Sequence, residues 1–133
     1  ATSMRDPDML TEYARQSLKR AISARYFDIS DENHVITLDP AIEQLILDAV
    51  KHTETGTYLS IAPEITRKII SATEKEMLKL TSIGRMPIAL TSPIVRIYYK
   101  KLTEDDLGDL VIISFNEIVS SIKLQSVGMV SIS

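Results

Sequence analysis

The sequence contains no cysteine and no tryptophan, and only two histidines and four glycines in 133 residues. Without cysteine there is no disulfide, no thiolate nucleophile and no zinc–thiolate cluster. The glycines, at 56, 84, 108 and 128, lie far apart, whereas a phosphate-cradling loop needs them close together ahead of a free helix N-terminus. His34 and His52 have no partner at metal-ligand spacing, and no Gly-x-Ser-x-Gly elbow presents a nucleophilic serine. No apolar run approaches the ~18 residues that would span a bilayer. An excess of basic charge is missing too: 15 Lys and Arg against 18 Asp and Glu give a formal charge of −3, which argues against a nucleic-acid surface. What is present is a globular composition, 44% hydrophobic and 25% charged, in a length of about one domain.

The prolines organise the chain. Proline fixes φ near the helical value and lacks the N–H that a first helical turn leaves unpaired anyway. Pro7, Pro40, Pro63 and Pro93 each precede an apolar pattern of helical period, three of them after Asp6, Asp39 or Ser92 as N-cap. A first helix is expected over 7–26, with Leu10, Tyr13, Ala14, Leu18, Ala21 and Ile22 on one stripe. The polar linker 28–33 is the best domain boundary, dividing a helical tail over 4–30 from an α/β unit over 31–133. Within that unit a strand runs into an x-Pro step and a helix three times. The strands are 34–38, 57–61 and 87–90; the helices carry Ala41, Ile42, Leu45, Ile46, Ala49 and Val50, then Ile65, Ile69, Ala72, Met77 and Leu80, then Ile94, Ile97, Tyr98 and Leu102 inward. The first of these helices is expected to fade out before Gly56, with His52 near its C-terminal dipole. Leu110 to Ile113 is continuously apolar, as a covered central strand should be, and pairs parallel with 88–90. A last strand over 122–132 contains Gly128, which suggests a bulge or a bend. The expected fold is α/β: a small mixed sheet of about five strands with three helices, preceded by a helix of another subdomain.

Few constellations invite chemistry. Ser92 reads as a helix cap and Glu104-Asp105-Asp106 as a solvated loop. Arg15, Lys19, Arg20 and Arg25 give the first helix a basic flank beside its apolar stripe, the pattern of a helix that packs on a neighbour. Tyr98 is expected in the core, and Tyr99 with Arg96 as an exposed contact pair. The candidate protein-contact residues are therefore Arg15, Lys19, Arg96 and Tyr99; no catalytic, cofactor-binding or metal-binding residue is expected.

Several blocks in order resemble a known family. They are Leu10-Thr11-Glu12-Tyr13-Ala14-Arg15-Gln16, Thr37-Leu38-Asp39-Pro40-Ala41-Ile42-Glu43-Gln44-Leu45, Leu90-Thr91-Ser92-Pro93, and Val111-Ile112-Ile113-Ser114-Phe115-Asn116-Glu117-Ile118 followed by Val127-Gly128. Together they resemble the FlhA/SctV (InvA-like) export-gate family of flagellar and virulence type III secretion. The resemblance implies the C-terminal part of a cytoplasmic domain: the end of a helical third subdomain, then the α/β fourth subdomain. It further implies a non-enzymatic platform at the cytoplasmic face of the bacterial inner membrane. That platform would dock chaperone–substrate complexes, the gatekeeper and other export-apparatus proteins, and would assemble into a homo-oligomeric ring in the full-length protein. No cofactor, nucleic acid or membrane insertion of this stretch is implied. Flagellar members usually carry proline after the Asn-Glu-Ile/Leu motif; Val119 stands there, which favours a virulence system. Ala1-Thr2-Ser3 ahead of Met4 reads as a cloning remnant. The alternative is a small α/β enzyme or ligand-binding module with its site at the C-terminal strand ends.

Overall fold

The computed structural model describes residues 32–118 and 122–132, together with Thr11, Ala14, Leu18, Tyr26 and Phe27. The order is β1 (Glu32–Leu38), α1 (Pro40–Ala49), β2 (Val50–Thr53), β3 (Gly56–Leu59), α2 (Pro63–Thr81), β4 (Ile88–Thr91), α3 (Pro93–Thr103), β5 (Val111–Ser114), a 3-10 turn (Phe115–Glu117) and β6 (Lys123–Val130). The three expected helices form where their prolines sit at the first turn. Asp39 caps α1, its Oδ1 accepting from the Ala41 N–H at 2.9 Å. Ser92 occupies the N-cap of α3 but its side chain makes no capping bond, contrary to expectation; its N–H instead donates to Glu43 Oε2 of α1 at 3.0 Å. Gly84, at φ +75°, ends α2 with paired bonds from Arg85 N to Leu80 O and Gly84 N to Thr81 O, the Schellman arrangement that needs a residue in the left-handed region.

Four strands form one parallel sheet in the order β5-β4-β1-β6, and β2 pairs with β3 as a separate antiparallel hairpin. The pairing of 88–90 with the apolar strand after it is as expected, Ala89 opposite Ile112 and Leu90 opposite Ile113. The hairpin corrects two expectations. The first α/β helix stops at Ala49, because Val50 turns extended and begins β2, and His52 lies in that strand opposite Thr57 rather than at a helix end. The strand before Pro63 therefore pairs only with β2 and stands outside the main sheet. β6 runs parallel to β1 with a register shift that leaves Val127 as an extra residue beside Gly128, the bulge the glycine suggested.

Alternation along the strands sorts the core onto two faces. On one, Ile36, Leu38, Ala89, Ile112 and Val130 meet Ile42 and Ile46 of α1, Ile69, Met77 and Leu80 of α2, and Val95, Tyr98 and Tyr99 of α3. Helix α2 lies over β6 and β1, α3 over β5, and α1 packs on α3. On the other, Val35, Ile88, Leu90 and Ile113 are covered by Phe27 and Ile122, with Tyr26 and Ile118 at the margin. Ile94, expected inward, is exposed at the start of α3, and Leu18, expected on a buried stripe, is exposed as well. Within the expected helix over 7–26, Thr11, Ala14 and Tyr26 are helical, Ala14 is exposed too and Leu18 lies in a turn; its other residues, and the boundary at 30/31, lie outside the described residues.

Candidate interaction surface

An α/β unit that did chemistry would place it beyond the C-terminal ends of its parallel strands. There the carboxylates of Asp39, Glu43 and Glu117 are occupied by the fold. The connections leave β1 toward β4 and reach β6 on the opposite side, so the crevice would open between β1 and β6; the Asp39 N–H closes it by donating to Val130 O at 3.0 Å. The Asp39 carboxylate caps α1 and the Glu43 carboxylate ties α1 to the start of α3. After β5, Glu117 is completely buried. Its Oε1 accepts from Ser114 Oγ at 2.9 Å and Ser114 N at 3.3 Å, and Arg96 Nε stands 3.4 Å away while donating to Ile112 O at 3.1 Å. The Ser114-Phe115-Asn116-Glu117 signature is thus a tight turn locked by a buried ion pair, with Phe115 and Asn116 left facing solvent.

Arg96 and Tyr99 are not an exposed contact pair. Both are buried: Arg96 is spent on β5 and Glu117, and the Tyr99 hydroxyl lies 2.6 Å from Thr73 Oγ1. Because Thr73 Oγ1 already donates to Ile69 O at 2.7 Å, the phenol is the donor. Burial pushes the Tyr99 phenol well above its ordinary range. Arg15 and Lys19 lie outside the described residues. Among the described residues no group of His, Asp and Glu is placed to hold a metal ion, and no helix is long and apolar enough to cross a membrane. His34 lines a small cleft of about 110 Å³ with Asn33, Arg85 and Met86, and its Nδ1 is buried without a hydrogen-bond partner.

The surface carries instead a set of exposed apolar side chains that sequence periodicity did not mark. Leu78, Ile83 and Met86 stand at the end of α2, Ile94 and Phe115 beyond the strand ends, Tyr58 on the hairpin, and Leu124 and Met129 on the edge strand β6. Of these, helical period assigns Ile94 to the core, whereas Leu78, Ile83 and Met86 fall outside the inward stripe of Ile65, Ile69, Ala72, Met77 and Leu80. The phase of the stripe distinguishes Leu78, which falls opposite Met77 and Leu80.

Residues 1–123 match the FHIPEP family. The chain belongs to that family. It is 39% identical over 127 residues to the flagellar biosynthesis protein FlhA of Bacillus subtilis, covering 96% of this chain and 19% of FlhA. Its fold superimposes on nonameric EPEC SctV-C with a TM-score of 0.83 at 30% identity, over 97% of this chain and 38% of that one. It matches the Chlamydia pneumoniae CdsV of the CdsV and CdsO complex at 0.81 and 34%, over 92% and 36%. It matches the nonameric EscV cytosolic domain from the type III secretion system at 0.72 and 32%, over 95% and 37%. The FHIPEP chain described here therefore spans about a fifth of the curated relative and little more than a third of the solved domains. The family is a structural export-gate component, and the resemblance drawn from the ordered blocks holds.

Proposed function

We propose that this FHIPEP chain is a non-enzymatic module of a type III secretion export gate. In the full-length protein it contributes to a homo-oligomeric ring on the cytoplasmic face of the inner membrane and docks chaperone–substrate complexes, the gatekeeper and other export proteins. The observation that carries this reading is the match in fold to ring-forming relatives together with the structural use of every acidic group at the C-terminal strand ends: Asp39, Glu43 and Glu117 each hold an element in place. A relative solved with CdsO supports an export-apparatus partner, and two nonameric relatives support self-assembly. The division into a helical tail over 4–30 and an α/β unit over 31–133 belongs to this proposal. So does the virulence system, which rests on Val119; the 39% identity to a flagellar protein points the other way. The test is made on the complete cytoplasmic region by sedimentation and by titration with chaperone–substrate complexes from each kind of system. A ring that binds at least one of them is expected, and a monomer that binds none overturns the reading.

A further inference from the structure

The exposed apolar side chains are not spread evenly. Leu78, Ile83 and Met86 are 59%, 56% and 51% exposed, and among the described residues no other stretch of nine holds three such side chains. Their crowding follows from local geometry. Lys75, Leu78, Lys79 and Ser82 recur at the i, i+3, i+4 and i+7 spacing on the solvent side of α2, opposite the buried Thr73, Glu76, Met77 and Leu80. The Schellman turn at Gly84 then ends the helix, and the exposed Ile83 and Met86 flank it, Met86 and Arg85 also lining the His34 cleft.

The rim of this patch is cationic although the chain carries a net charge of −3. Lys75, Lys79 and Arg85 are exposed around it, against Glu74 alone among exposed acids on the same turns. Glu76 is buried and bonded to Lys79 at 2.9 Å, which leaves about half of the Lys79 side chain in solvent. An apolar patch rimmed by polar groups marks an interaction site, and a short apolar stripe on a helix face is matched by a second helix presenting anchors at i, i+3 and i+4. Three cations are fewer than the four to eight that typify a segment recognising anionic lipid. We infer that the C-terminal end of α2, through Leu78, Ile83 and Met86 with Lys75 and Arg85, docks an acidic amphipathic helix of a partner protein.

This inference rests on the docking role proposed above and names its surface and partner chemistry. It is tested in the full-length protein in its own cells, with a photo-crosslinking residue at Ile83, a second at Phe115 and a control at the exposed Thr55. The expected result is that Ile83 crosslinks to a segment of another protein, identified by mass spectrometry, whose Leu, Ile or Met recur at helical spacing between Asp and Glu. K75E/R85E is expected to lower the yield at least fivefold with an unchanged melting curve, and K75Q/R85Q serves should the first variant fold poorly. Crosslinks from Ile83 to lipid, to a second copy, to another part of the same chain or to a segment without that pattern overturn the inference, as does a yield no higher than at Thr55. Capture of export proteins at Phe115 but not at Ile83 also overturns it while leaving the platform standing.

Discussion

The two faces of the parallel sheet are built to different standards. The helix-covered face is closed by α1, α2 and α3, all contributed by the stretch between β1 and β5, and its side chains, among them Ile36, Ile46, Ile69, Leu80 and Val95, are fully sealed from solvent. On the opposite face Phe27 and Ile122 pack with Val35, Ile88, Leu90 and Ile113, while Leu124, Ser126 and Met129 of β6 are exposed beside Thr37. Hydroxyl groups take the place of packing there: Thr37 Oγ1 lies 3.5 Å from Ser126 Oγ and 3.4 Å from Gly128 O. The difference teaches that the helical layer is self-sufficient, while the other layer borrows its cover from residues flanking the sheet.

The largest expected effect is on the buried pair at the edge of the helix-covered face. Glu117→Ala leaves the Arg96 guanidinium buried without its counter-charge and is expected to cost about 3–5 kcal/mol in urea unfolding. A cost under about 1 kcal/mol would show that water reaches this pair and that the face is less sealed than described. Next, Ile69→Ala is expected to cost about 4 kcal/mol and Phe27→Ala about 3 kcal/mol, although phenylalanine is the larger side chain. The reverse order in parallel denaturation curves would break the contrast between the faces. Gly128→Ala follows at about 2 kcal/mol, because a Cβ there collides with Glu76 Oε1 and crowds Lys79 Nζ where α2 crosses the bulge. Adding Glu76→Ala should recover most of that loss, and no recovery would sink the steric account. The smallest effect is Tyr99→Phe, about 1 kcal/mol for one buried hydrogen bond. The raised Tyr99 pKa carries a sign: the unfolded chain ionises near the ordinary value of about 10 while the folded one does not, so stability present below pH 10 is lost as pH rises above it. Tyr99→Phe should flatten that decline between about pH 10 and 11.5, and an unchanged slope would assign it to other groups.

Much of this was legible in the residues. Proline at the first turn and apolar stripes of helical period located α1, α2 and α3, and the unbroken run Leu110 to Ile113 located β5, although it stands at the edge of the sheet rather than at its centre. The hairpin was hidden because Val50 continues the apolar phase of α1, while the signal that ends the helix lies in the β-branched Val50 and Thr53 and in Gly56 at φ +142°. Arg96 and Tyr99 were misplaced for a related reason. With Thr103 they form a buried stripe at i, i+3 and i+7, yet two of the three carry groups that a hydropathy pattern assigns to solvent. The acceptors Ile112 O and Glu117 for Arg96, and Thr73 Oγ1 for Tyr99, are brought in by other elements and make that burial tolerable, and no local pattern announces them. The exposed apolar end of α2 was not legible because Leu78 lies off the inward stripe of Ile65, Ile69, Ala72, Met77 and Leu80, and Ile83 and Met86 lie beyond it.

The place of β1 between β4 and β6 has a consequence for synthesis on the ribosome. Thr37 finds its partner Gly128 some 91 positions later, so until β6 has been made β1 has an unpaired edge and the sheet cannot be completed. Pairings this distant in sequence form slowly. A nascent chain stalled after Ser114 would present that free edge to other strands, which makes the emergence of β6 the event that commits the polypeptide to its fold and ends its exposure to misassembly.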